Sequence, residues 1–405
     1  MNPRSFRPIA LCLLMPMLAH CGGDHDEDPT VVSASVSVSV SVSSSITGGT
    51  AGTGPGTGGS EGTDGTDGTE GTESTDGTTT GSGASRGSGD PFKFDLGGTS
   101  STGTSTTGDP CRETSPDCVC SIPDHVPCDQ ATNDPFQAMG LNCPGELQVQ
   151  ASTMGSPAAI GLRSNFGVNA TFNPREGTKY AVIGSGLVGD LNNVTPQNDS
   201  NAGPTHCNDA LGISLGKTLP APLKPNAVGG DCTQNPGLVG TGDCSGTIQG
   251  QFNQGGSAND YTELRFVLQV PNDVTSLSYE FAFFSVEWPY YYGSKYNDMY
   301  VGWLESELWT GNISFDNMGN PISLNAGFLD YQDGSGSLPE FAGTCMRQHA
   351  GTSWLKSTVG VTPGEQITVV FAIFDLSDQI LDSYAFLDNF QWGCEPSGEA
   401  ADDPS

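Results

Sequence analysis

Alternation of apolar and polar side chains is strongest between residues 261 and 394. Leu264, Phe266, Leu268 and Val270 alternate with Arg265, Val267 and Gln269. A period of two places successive side chains on opposite faces of a strand, so 264–270 is expected to be one. Pro271 to Ser276 then carries turn residues, and Leu277, Tyr279, Phe281 and Phe283 alternate with Ser278, Glu280 and Ala282. Two such runs joined by a short turn predict an antiparallel hairpin. Shorter strands are expected at 299–304, 313–315 and 322–324, with a turn at 317–320, and the last two at 366–374 and 384–392. Few longer stretches show helical period. The expected fold class is all-β, an antiparallel β-sandwich of jelly-roll type.

The pattern fails toward the N-terminus. Residues 46–110 hold 20 of the 56 glycines, mixed with Thr, Ser and acids, and such a stretch cannot bury a core. It reads as a long disordered linker, and the strict Ser/Val alternation of 35–43 as a repeat without a partner strand. Gly184, Gly186 and Gly189 follow the apolar run Tyr180–Ile183 as a lone GxGxxG. The next residues, rich in Asp and Asn, cannot start the helix that a nucleotide site requires, so these glycines are read as a turn.

Charge and the first residues change the picture further. The chain has 405 residues, 46 acidic against 14 basic, for a net charge of −32. That excess argues against a nucleic-acid partner, which needs clustered Lys and Arg. Arg4 and Arg7 precede an apolar core over 9–19, too short for a membrane span of about 20 residues but right for an export signal. The core ends in Leu18-Ala19-His20-Cys21, which resembles a bacterial lipoprotein signal, with His20 where a small residue is usual. Cys21 would then carry a diacylglycerol and anchor the exported chain to a membrane, outer membrane or cell surface. The expected organisation is a signal peptide (1–20), lipidated Cys21 and linker (21–110), a Cys-rich lead-in (111–145), the sandwich (146–394) and an acidic tail (395–405).

Of the 12 cysteines, Cys12 leaves with the signal and Cys21 is lipidated. The ten that remain are Cys111, Cys118, Cys120, Cys128, Cys143, Cys207, Cys232, Cys244, Cys345 and Cys394. An even count in an exported chain predicts five disulfides; their connectivity stays open, a bond between Cys345 and Cys394, both near predicted strands, being one of the pairings allowed. Zinc at Cys118, Cys120, His125 and Cys128 is disfavoured, because a Cys-x-Cys pair is tighter than the usual ligand spacing.

Candidate chemistry is sparse. Asp375, Asp378 and Asp382 place three carboxylates in eight residues, and Asp388 follows on the next strand. Asn297 and Asp298 add oxygens from a neighbouring loop, so calcium is the expected cofactor. Trp288, Tyr290, Tyr291 and Tyr292 form a loop cluster suited to stacking on a surface glycan or a protein. No His-Glu-x-x-His pattern occurs and no Gly-x-Ser-x-Gly elbow accompanies a strand-to-helix turn, so no catalytic residue is assigned. The expected role is non-catalytic adhesion or ligand binding. A glycan-directed hydrolase using loop carboxylates such as Glu287, and a structural envelope component, stay open.

Five segments in order carry a family resemblance: Phe281–Pro289, Asn297–Tyr300, Gly311–Ser314, Gly351–Leu355 and Asp382–Phe390. Over 261–394 the chain resembles the choice-of-anchor L domain of bacterial surface proteins. The resemblance implies a surface location, here through the N-terminal lipid, and no reaction.

Overall fold

The computed structural model describes residues 120–395 apart from 168–170, 193–196, 200–202, 206 and 327–328, together with 403–404. The signal segment, Cys21, the linker, Cys111, Cys118 and most of the tail lie outside the described residues.

The chain enters through helix α1 (Pro135–Ala138), capped by the Asp134 carboxylate, and then runs through short strands. These are β1 (Gln150–Met154), β2 (Ile160–Arg163), β3 (Tyr180–Gly184), a small hairpin β4 (Gln197–Asp199) and β5 (Gly203–Thr205), and β6 (Ser214–Gly216). Helix α2 (Ile248–Phe252) precedes the long strands β7 (Ala258–Gln269) and β8 (Ser276–Ser285). Then follow β9 (Met299–Glu305), β10 (Thr310–Asn312), β11 (Tyr331–Gln332), β12 (Ala350–Gly351) and β13 (Leu355–Gly360). The last are β14 (Gln366–Leu376), β15 (Ser383–Gly393) and β16 (Asp403–Pro404).

Two antiparallel sheets form the expected sandwich. The first has the order β1-β7-β14-β9-β10, with β6 also on β7; the second has β11-β12-β8-β15-β3-β2, with β13 on β8 and β16 on β13. The last two long strands lie where alternation placed them, and the Gly184–Gly189 segment is a turn followed by a 3₁₀ segment, Val188–Asn192. Residues 313–315 and 322–324 form only the isolated bridges Phe315–Pro321 and Met299–Ser323.

The hairpin expected from 264–283 does not form. β7 pairs with β1, β6 and β14, and β8 pairs with β12, β13 and β15, so the two strands belong to different sheets. Six residues separate them, enough to cross the roughly 10 Å between packed sheets. Their apolar faces then meet across the interior: Leu264, Phe266 and Leu268 share one core with Leu277, Tyr279, Phe281 and Phe283. Alternation identifies an inward face but not whether its partner is beside it or opposite it.

Both outer faces are covered too. Phe284, Phe386 and Tyr180 of the second sheet pack under Phe166, Phe172 and Phe341. Trp303, Val370 and Phe374 of the first pack under Leu219, Leu223, Ile248 and Phe252. Glu280 and Ala282, on the face of β8 opposite the inter-sheet core, are buried as well.

Four disulfides occur among the described residues: Cys120–Cys394, Cys128–Cys143, Cys207–Cys345 and Cys232–Cys244. The Cys345–Cys394 pairing left open by the sequence does not form. Cys345 sits in the covering layer beside Cys207, whereas Cys394 follows β15 at the far edge, next to the lead-in. Peptide mapping of non-reduced protein is expected to recover these four links. The Cys207–Cys345 bond spans 138 residues, so replacing both by Ser is expected to cost up to roughly 5 kcal/mol in denaturant unfolding, the chain-entropy figure for such a loop.

Candidate functional site

Strand β14 ends in the first sheet and β15 begins in the second, so residues 377–382 cross one end of the sandwich. Ser377 and Leu381 adopt left-handed backbone there (φ 86 and 69). The starts of β7 and β9 and the end of β3 meet at the same end, because they pair antiparallel with β14 and β15. Four of the six expected cation ligands are thereby brought to one region: Asp298, Asp375, Asp378 and Asp382. Asp298, Asp375 and Asp382 are buried, and Asp378 is half-buried in the crossing loop.

The oxygens of these acids are used unequally. Asp298 Oδ1 accepts from the Leu376 amide at 3.2 Å, and Oδ2 from the Ser383 hydroxyl at 2.7 Å. Asp382 accepts from the Asp209 amide at 3.0 Å and from the Tyr384 hydroxyl at 2.9 Å. A Cβ at Gly186 would lie 1.8 Å from an Asp382 oxygen, so the middle glycine of the GxGxxG makes room for a carboxylate. Neither Asp375 oxygen has a donor in full hydrogen-bond geometry. The nearby Ser185 hydroxyl accepts from the Ser383 amide at 2.9 Å and lies close enough to offset part of the cost of a charge on Asp375. Burial is the main cause that pushes Asp298 up to about 8 and Asp382 up to about 7. Burial and then the Asp298 charge raise Asp375 well above the carboxylate range.

The other two expected ligands are used elsewhere. Asn297 donates to Gln251 Oε1 at 2.9 Å and accepts from the Asn325 amide at 2.7 Å, tying α2 to the start of β9. Asp388 lies farther along β15 opposite Glu280, accepting from the amides of Arg175 at 2.6 Å and Asn389 at 2.7 Å. Three acids that sequence spacing missed join the crossover end: Asp190, Asp209 and Asp260. They come from separate loops and strand ends, so no local spacing marks them.

The aromatic cluster divides in two. Trp288 packs against the inter-sheet core, and its carbonyl accepts from His349 Nδ1–H at 2.8 Å. Tyr291 packs edge-on against Tyr296 with ring centroids 5.1 Å apart. Tyr290 and Tyr292 are exposed, 55% and 51%. Two of the four rings are therefore presented and two are structural.

A groove not anticipated from sequence lies at the other edge, between the lead-in and the end of β15. It encloses about 810 Å³, and its lining includes Ile122, His125, Asn142, Glu146, Leu147 and Trp392. Trp392 is half-buried and meets Phe390 edge-to-face at 5.6 Å. Two disulfides, Cys120–Cys394 and Cys128–Cys143, build the lead-in wall. His125 Nδ1 lies 2.8 Å from Glu146 Oε1, and Nε2 contacts Glu176 Oε1. His125, Cys143 and Glu146 bring ligand atoms within 4.8 Å of one another, but the disulfide removes Cys143 as a metal donor. The groove unites residues some 270 positions apart in sequence (Ile122 and Trp392), which no local pattern announces.

Burial lowers the His125 pKa, yet Glu176 and Glu146 together outweigh it and raise the value above 6.5. A raised histidine contributes stability that is complete below its unfolded pKa, about 6.5, and that fades as pH climbs through the folded value. His125→Gln is therefore expected to cost about 1 kcal/mol at pH 6 and much less at pH 9. Thermal melts of both proteins across that range provide the check; an equal loss at both ends would exclude ion pairing as the source.

No family model and no curated protein matches the chain. Among solved structures, the chain is similar to the carbohydrate-binding module TmCBM61 in complex with beta-1,4-galactotriose. That match has 8% identity and a TM-score of 0.21, covering 61% of this chain and 89% of that one. It is also similar to the K2 cleaved adhesin domain of Lys-gingipain, at 11% identity and a TM-score of 0.23, covering 64% of this chain and 96% of that one.

Proposed function

We propose that this is an exported, lipid-anchored surface protein whose β-sandwich binds a ligand, a surface glycan or protein, without catalysis. The groove at Trp392 is the observation that carries the reading. Its volume falls in the range of small-ligand sites, about 300–1,000 Å³. The half-buried indole of Trp392 lines the groove beside Asn142 and Gln391, which together bring apolar ring surface and amide groups, the combination that suits a sugar. Ile122 and Leu147, 54% and 52% exposed on the rim, add apolar surface that water does not favour.

Several features support binding over reaction. The groove's one imidazole, His125, has both ring nitrogens against carboxylates, which leaves neither to move a substrate proton. Glu287 and Asp298, the acids a hydrolase reading would use, are fully buried. The order of motifs resembling choice-of-anchor L domains, and the lipoprotein-like end at Cys21, support the surface location.

Two experiments test the reading. On glycan and protein arrays the full chain is expected to retain a ligand, and Trp392→Ala to weaken it about tenfold or more, as loss of a central aromatic anchor does. Unchanged retention in that variant, with loss in Tyr290→Ala/Tyr292→Ala, would move the site to the aromatic loop. In cells, a fatty-acid label is expected on the wild-type chain and to vanish in Cys21→Ala; label persisting there removes the lipid anchor.

A further inference from the structure

Buried aspartates elsewhere in the chain have a clear occupation, which is to accept hydrogen bonds from loop amides. Asp243 accepts from the amides of Ser245, Thr247, Ile248 and Asn312. Asp333 does so from Ser337, Leu338 and Gln348, and Asp260 from Leu211 and Ile213. Asp375 is the exception. It is 1% exposed, and neither buried oxygen has a donor in full hydrogen-bond geometry; the Ser185 hydroxyl and the Asp298 carboxylate are its nearest polar neighbours.

Its surroundings make the exception sharper. Asp298, Asp382 and Asp260 all repel a charge on Asp375, and none of the four ion pairs among the described residues involves Asp298, Asp375 or Asp382. A buried carboxylate facing other carboxylates needs either a proton or a cation. We propose that the crossover end binds a divalent cation, with Asp375 and Asp298 as its carboxylate ligands and Asp378 closing the site from the 377–382 loop.

The donors are all oxygens, which selects a hard ion over zinc or copper. A site assembled from a crossing loop and strand ends lacks the rigid octahedron that magnesium demands and suits calcium. Among the described residues no three of these acids bring ligand atoms within 4.8 Å of one another. The carboxylates thus serve as a pair with the loop acid nearby, and carbonyl, hydroxyl or water oxygens complete the six to eight positions calcium takes.

The inference is independent of the groove and is tested on the full chain at pH 7.5. Stripped of metal and held in EDTA, the wild type is expected to melt lower than in calcium. At calcium a hundredfold above its dissociation constant the difference should be about 5–10 °C, with heat on calorimetric titration saturating at one ion per chain. Asp375→Asn, which keeps the shape and removes the charge, is expected to lose that shift. Should it fail to fold, Asp378→Ala in the half-buried loop carries the same test, with a weakened shift expected. Wild type melting equally in EDTA and calcium, with no heat of titration, overturns the site and assigns the charge to a proton shared by Asp298 and Asp375. A calcium shift kept in full by both variants overturns the ligand assignment.

Discussion

Burial of both faces of the central strands in both sheets is the constraint on which the rest of this molecule depends. Antiparallel sheets commonly leave one face to water. Here every side chain of β8 is buried, and nearly every one of β14. Large rings point outward as well as inward: Trp303 and Phe374 from one sheet, Phe284 and Phe386 from the other. Each such ring left in water would forgo about 1.5–3 kcal/mol of burial, so the sandwich needs an outer cover on either side. Irregular chain provides it.

That solution explains two features of composition that otherwise look unrelated. Irregular segments do not satisfy their own amides, and buried amides require partners. Asp129, Asp243, Asp260 and Asp333 meet this need from inside the coverings, each accepting from two or more backbone N–H groups. The cysteines do the complementary task. Cys207–Cys345 ties two covering segments over the second sheet, and Cys232–Cys244 closes a loop packed against the core between the sheets. Part of the acidic excess is thus internal and structural, not only a solvated surface.

How much of this was legible follows from the range of each signal. The period of two in 264–270, 366–374 and 384–392 is local, and those strands stand where it put them. Whether β7 pairs beside β8 or opposes it is decided by the sheet each joins, and the alternation is the same in both cases. Disulfide partners were unreadable for the same reason: parity fixes how many bonds form, not which. At the crossover end, Asp375, Asp378 and Asp382 were visible through closeness in sequence. Asp190, Asp209 and Asp260 were not, because only the fold brings them near. Asp388 shared a neighbourhood in sequence, but a few residues along an extended strand carried it away. The Trp392 groove was the least legible, since one wall comes from each end of the described chain.

The disulfide between Cys120 and Cys394 has a mechanical side. Tension applied to the chain ahead of Cys120 does not have to travel through α1 and the covering loops. It passes across one covalent bond to the residue that follows β15, a strand hydrogen-bonded along both edges, to β8 and β3. Pulling on that strand loads two ladders in shear, the direction in which many hydrogen bonds must break together. The lead-in between Cys120 and Cys143, which forms the groove wall, lies off this line only while the load is taken up by the sheet. A partner seated in the groove touches that wall and residues 390–392 beside Cys394, so a pull through it would load the wall and the Cys120–Cys394 bond before either ladder.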